Sequence, residues 1–169
     1  MPSEIKGSSN FDSDNAGKVL QVVSVNVDTL MSTSSTSWQT AMSLTITPTS
    51  ASSTILVFMN AVVGTSGAYS SAQSVWRGST QILKGQVVSG ATSSSGPTAY
   101  QGSSDANNNS QIAIQGMDTP STTSATTYYF KYRSPQGGII RVNDLGSAAR
   151  NLSYAQTAQS SITLMEIGA

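Results

Sequence analysis

The stretch "DTPSTTSATTYYFKYR" (Asp118–Arg133) sets a run of small and hydroxylated residues directly ahead of an alternating aromatic segment. In its last eight residues, Tyr128, Phe130 and Tyr132 share one side, while Tyr129, Lys131 and Arg133 share the other. A period of two, rich in aromatic residues, means a β-strand with one covered face. The lead carries nothing reactive. Asp118 and Pro120 start a turn, and the Ser and Thr hydroxyls can satisfy turn backbone groups locally. The stretch reads as a crossing that delivers an aromatic strand. An opposite sheet or a neighbouring subunit must cover that strand.

Working outward, the same period recurs along the chain. In "KVLQVVSVNVD" (Lys18–Asp28), Val19, Val23, Val25 and Val27 fall on one face, interrupted by Gln21. In "SWQTAMSLTITP" (Ser37–Pro48), Trp38, Thr40, Met42, Leu44 and Ile46 oppose Gln39, Ala41, Ser43 and Thr45. Pro48 ends that strand. "TILVFMNAVVG" (Thr54–Gly64) is apolar on both faces, as expected of a central strand covered on both sides. A hairpin-like link, "TPTSASS", joins it to the strand before. Shorter strands are expected at Gln73–Gly78, Gln81–Val88, Gln111–Asp118 and Ile139–Asp144, with a bulge or bend at Gly85. Ser161–Ala169 closes the chain as a strand, and Ser89–Ser110 reads as a long exposed loop. No helical period appears over ten or more residues. About eight to ten short strands with turns between them imply an all-β antiparallel sandwich or barrel. Residues 1–16 are polar and patternless and read as an arm. The sandwich domain then spans 17–169.

Composition narrows the function classes. Charged residues are 9% of the 169, and eight basic residues balance eight acidic ones. The usual share is about a quarter. Such a chain has no electrostatic footprint for nucleic acid or an anionic membrane. Its surface must be wetted by hydroxyls and amides, as suits a protein that lives assembled. No apolar run approaches the ~18 residues that span a bilayer. The N-terminal residues lack the apolar core of a signal peptide, so synthesis in a cytoplasm without classical export is expected. Cysteine and histidine are both absent. That removes disulfides, thiolate nucleophiles, the usual general base and the commonest metal ligand.

The ordered set "GKVLQVV", "ITPTSASSTILVFM", "DTPSTTSATTYYFKYR" and "SSITLMEIGA" resembles a family of phage virion domains. These occur at the tips of tail fibres and tailspikes, especially in cyanophages and marine phages. The likeness covers Gly17 to Ala169. It implies a jelly-roll-like β-sandwich that forms a homotrimer. Fibre proteins of this kind carry a long shaft before the head, whereas this chain has about sixteen residues there. A short arm and a trimeric head suit a capsid decoration, or cement, protein that sits at local three-fold points of the shell. The expected partners are therefore two further copies and the major capsid protein, with Ile5, Lys6 and Phe11 of the arm as capsid contacts. A host surface polysaccharide is a further expected partner, and no cofactor is expected. A tail-fibre or tailspike tip that binds a host glycan is the alternative. For it, Tyr100, Asp105, Asn107 and Asn109 of the long loop face the receptor.

Enzymatic readings compete poorly. "SEIK" (Ser3–Lys6) matches S-x-x-K but lies in the arm without its partner motifs. The acids Glu4, Asp12 and Asp14 lie in the arm. Asp28, Asp105, Asp118 and Asp144 fall near strand ends, where solvated turn residues sit, rather than as a glycosidase pair. "DANNNS" spaces Asp105, Asn107 and Asn109 like the start of a calcium loop, but Ser110 and Gly116 occupy its later key positions. Asn108 and Asn151 match glycosylation sequons that a phage protein would not use. Arg77, Arg133 and Arg141 read as surface charge, with pairing to Asp118 or Asp144 as the sharper reading. Trp38, Phe58, Tyr128, Phe130 and Tyr132 are expected in the core or on a trimer axis.

Overall fold

The computed structural model describes residues 16–67, 69–84, 109–144 and 158–169. Among these it is all-β, with ten strands in two antiparallel sheets and no helix. In chain order they are β1 (Val19–Val27), β2 (Met31–Thr33), β3 (Gln39–Ile46), β4 (Thr54–Thr65) and β5 (Ala72–Arg77). Then follow β6 (Thr80–Ile82), β7 (Asn109–Asp118), β8 (Thr126–Arg133), β9 (Ile140–Val142) and β10 (Ser160–Ile167). The six-stranded sheet runs β1-β10-β4-β9-β2, with β7 also on β4; the four-stranded sheet runs β3-β8-β5-β6.

Register resolves the larger sheet into four rows. β10 pairs Thr54–Asn60 of β4 and β9 pairs Val63–Thr65, while β7 pairs Ile55–Gly64. A strand has only two edges, so β9 and β10 lie end to end along one edge and β7 takes the other. β1 and β2 line up in the same way against β10 and β9. Asn143 seals the junction. Its side-chain amide donates to the carbonyls of Val27 (2.8 Å) and Thr29 (3.2 Å), and its oxygen accepts from the Ser160 hydroxyl at 2.5 Å. Its backbone is left-handed (φ 60°), a conformation Asn tolerates better than most residues.

The core lies between the two sheets. Ile55, Val57, Met59, Ala61 and Val63 of β4 line one side, with Ile162 and Leu164 of β10 beside them. Tyr128, Phe130 and Tyr132 of β8 line the other, with Met42, Ile46 and Val75. Fully buried aromatic side chains of this size are each worth several kcal/mol; removing one leaves a cavity costing about 3–5 kcal/mol. Gly116 leaves room for Leu83, whose methyl carbon would sit 2.6 Å from a Cβ at that position.

Three expectations change. β3 and β4 belong to different sheets, so Thr47–Ser53 is a crossing and not a hairpin. β4 buries one face only; Leu56 and Val62 are half-buried and Phe58 is exposed on the other. The strand expected at Gln81–Val88 is β6, Thr80–Ile82, and from Gly85 it lies outside the described residues. The short β2 carries too few residues to show a period.

Two bulges re-phase the sequence pattern. One falls between Val19 and Gln21, the other between Thr40 and Met42. An extra residue flips everything before it to the opposite face. Val19 and Thr40 are therefore exposed, whereas Val23, Val25 and Val27 pack against the core.

Candidate functional site

The outer face of the six-stranded sheet is built from residues that alternate with the core. Cross-strand register sets Val22 opposite Met165, Met165 opposite Leu56, and Leu56 opposite Met117. This is an unbroken apolar row across four strands. The next row is Ser24, Thr163, Phe58 and Gln115, and the one after it Asn26, Ser161, Asn60 and Ala113. None of these twelve residues carries a charge. Met117 is 69% exposed, Val22 52% and Phe58 39%. The polar side chains of the face bond to one another: Ser24 with Thr163 (2.9 Å), and the Gln111 amide donating to Asn60 Oδ1 (3.0 Å). Polar groups that are already paired cost little to bury. These twelve positions, uncharged and with large exposed side chains, have the composition of an interface centre, where charged residues are depleted. The face gains a charge beyond them at Arg141 of β9, paired with Ser32 and Gly64.

The opposite outer face, on the four-stranded sheet, has different chemistry. Trp76 of β5 stands directly across from Tyr129 of β8. The Trp38 and Trp76 rings meet edge to face, with centroids 6.1 Å apart. The Lys131 ammonium lies 4.5 Å from the Trp76 ring centre and 5.3 Å from that of Tyr129, and the Arg133 guanidinium lies 4.7 Å from the Trp38 ring.

Two carboxylates pin the crossings between sheets. Glu166, on the inward face of β10, is fully buried. Its Oε1 accepts from the Thr49 backbone N–H (2.7 Å), the Thr49 hydroxyl (2.8 Å) and the Ser50 N–H (3.4 Å). Its Oε2 accepts from Gln21 Nε2 at 2.6 Å, and Gln21 also donates to the Thr47 carbonyl (2.7 Å). This explains the polar break in the β1 pattern. Burial alone raises the Glu166 pKa; the hydrogen bonds, from Gln21 and Thr49 among others, outweigh it and hold the group at about 2. The second pin is Asp118. Arg77 Nη1 donates to both its oxygens (2.9 and 2.8 Å), and the Tyr128 hydroxyl donates to Oδ2 at 2.7 Å. Burial first, then the bond to Asp118, pushes the Tyr128 phenol above its ordinary range. Beyond it, the Ser124 N–H donates to the Thr122 hydroxyl (3.1 Å) and the Thr126 hydroxyl to the Ser124 carbonyl (3.0 Å). The hydroxyl-rich lead thus ties itself in place as it crosses to the other sheet.

The structure sorts the expected residues. Tyr128, Phe130 and Tyr132 lie in the core. Trp38 does not: the bulge in β3 places it on the outer aromatic face. Phe58 also leaves the core for the outer face of the larger sheet, because β4 turns its odd-numbered neighbours inward. Asn109 is the first residue of β7, paired with Gly64, and so belongs to a strand and not to the long loop. Arg77 is an ion-pair partner of Asp118 and not simple surface charge. Ile5, Lys6, Phe11, Tyr100, Asp105 and Asn107 lie outside the described residues. Val22, Met117, Met165, Trp76 and Glu166 were not singled out from the sequence. Only the cross-strand register brings them into rows or sites. Neither protein-family models nor curated proteins match the chain.

Proposed function

We propose that this chain is a non-enzymatic structural protein of a phage virion. In this reading it forms a homotrimeric jelly-roll head that decorates the outer capsid. The observation that carries self-association is the block of twelve uncharged positions on the outer face of the six-stranded sheet, with its row Val22, Met165, Leu56 and Met117. A residue that lies at a three-fold axis meets copies of itself, so a charge there would meet its own sign. The strand order supports the jelly-roll reading. Counted in rows, the sheets run first-eighth-third-sixth and second-seventh-fourth-fifth. The virion and capsid placement rests on the family resemblance of Gly17–Ala169, with residues 1–16 as the arm that reaches the major capsid protein.

The test has two parts. Light scattering after gel filtration should give three times the 17.5 kDa chain mass, and Met165→Lys should give one chain mass with an unchanged circular dichroism spectrum. A wild-type protein that stays monomeric at tens of micromolar overturns the trimer. Cryo-electron microscopy of whole particles should place density at three-fold points of the capsid. Density at the tail alone would replace decoration by the receptor-binding tip, the second reading. The aromatic and cationic face of the four-stranded sheet favours that reading.

A further inference from the structure

The sequence has two tryptophans, and both stand on the outer face of the four-stranded sheet. An aromatic ring on a solvent-side strand position leaves apolar area in water unless something stacks on it. Here the rings of Trp38, Trp76 and Tyr129 form a ledge, and the two cations of β8 lie against them. Lys131 and Arg133 occupy alternate positions of one strand, so their backbone positions are roughly 7 Å apart on the same side.

The cluster is rich in donors and poor in acceptors. Among the described residues, neither Lys131 nor Arg133 has a carboxylate partner; the nearby Asp118 is taken by Arg77 and Tyr128. Arg133 reaches only the Thr36 carbonyl, at 3.4 Å. Among the described residues, the indole N–H of Trp76 and the Nε–H of Arg133 have no acceptor, but both are shielded from solvent, so the ammonium of Lys131 and the terminal nitrogens of Arg133 are the donors this face offers. Beside Tyr129 the ledge opens into a shallow cleft of about 430 Å³, lined by Arg77, Ser79, Thr122 and Thr127 among others. Rings, hydroxyls and two cations without a carboxylate partner among the described residues therefore run side by side along one face.

We propose that this face binds an acidic polysaccharide. Ring faces take the apolar C–H side of the sugars, the Ser and Thr hydroxyls of the cleft take sugar hydroxyls, and Lys131 and Arg133 pair with the sugar carboxylates. The site lies on the opposite side of the sandwich from the row Val22, Met165, Leu56 and Met117 and does not depend on trimer formation. A single-stranded nucleic acid offers rings and anions too, but its phosphates would meet only two cations here, and the chain has no net positive charge to hold it.

The experiment is a fluorescence titration of the full chain, in which Trp38 and Trp76 report binding directly. The probes are oligosaccharides of alginate, polygalacturonate, hyaluronan and polysialic acid, with dextran as the neutral control and a twenty-residue oligothymidylate as the anionic non-sugar. At least one acidic sugar should saturate the signal, and dextran should bind at least tenfold more weakly. Lys131→Gln should weaken binding about tenfold and Trp38→Ala more, with both variants keeping the wild-type denaturation midpoint within experimental scatter. Three results overturn the proposal. One is no saturation by any acidic sugar up to millimolar concentration. Another is binding that survives both substitutions. The third is oligothymidylate binding as tight as the best sugar, which would make the cluster a general anion patch. If both variants unfold, Lys131→Arg, which keeps the charge, and Tyr129→Ala decide the same question.

Discussion

Replacing Glu166 by Gln keeps the shape of the side chain and removes its charge. The carboxylate is the shared acceptor for Gln21, Thr49 and Ser50, and it is fully buried. Its pKa falls from an ordinary 4.5 to about 2 on folding. At about 1.4 kcal/mol per unit, this is worth about 3 kcal/mol of stability at neutral pH. A folded pKa below the unfolded one means stability present above pH 4.5 and lost as pH falls through 2. Integrating the two titrations leaves about half of it at pH 3 and only a small remainder at pH 2. Guanidinium unfolding, followed by tryptophan fluorescence at one protein concentration, gives stability for both proteins at each pH. Any cost of the amide that does not depend on pH cancels when the difference is compared across pH. The gap between wild type and Glu166→Gln should therefore narrow by about 2–3 kcal/mol between pH 7 and pH 2. A gap that stays constant over that range refutes the pin: the carboxylate would then be no better stabilised folded than unfolded.

Other perturbations test the remaining joints. Tyr128→Phe removes one donor from Asp118 and should cost about 1 kcal/mol in denaturant unfolding, because Arg77 still pairs with the carboxylate. Asn143→Gly keeps the left-handed backbone but cuts the ties to Val27, Thr29 and Ser160, so a loss of about 2 kcal/mol isolates those bonds from backbone strain. Gly116→Val drives a branched side chain into Leu83 and should lower the melting temperature, with a cost of about 1–3 kcal/mol. Phe130→Ala empties the centre of the four-stranded sheet's inner face, and a loss under about 2 kcal/mol would mean that the core collapses around it.

The sequence made the strands legible where side chains alternate for eight residues or more. The alternation in Thr126–Arg133 matches the bounds of β8 and separates its buried rings from the Tyr129–Lys131–Arg133 side. Alternation fails at a bulge, because one added residue inverts the faces with no compositional trace. The bulge between Thr40 and Met42 moves Trp38 to the outer face in that way. β4 misled for another reason. Apolar residues on both faces look alike whether the second face meets a layer of the same chain or stands exposed, and Phe58 stands exposed. The crossing at Thr47–Ser53 resembled a hairpin because its turn residues are the same. What distinguishes it is Glu166, more than a hundred residues away, and no local pattern carries that. The apolar row on the larger sheet was invisible for the same cause: Val22, Leu56, Met117 and Met165 come from four separated strands.

β10 has a consequence for how the molecule is made. In chain order it follows the nine other described strands, yet it fills the slot between β1 and β4. It also carries Ile162, Leu164 and Glu166 into the interior. Until it emerges, β1 and β4 have no ladder between them, and the Thr47–Ser53 crossing has no carboxylate to gather it. The larger sheet therefore closes in one late step, after synthesis has passed Ile167. A chain stopped before that point would leave the facing edges of β1 and β4 without their ladder partner.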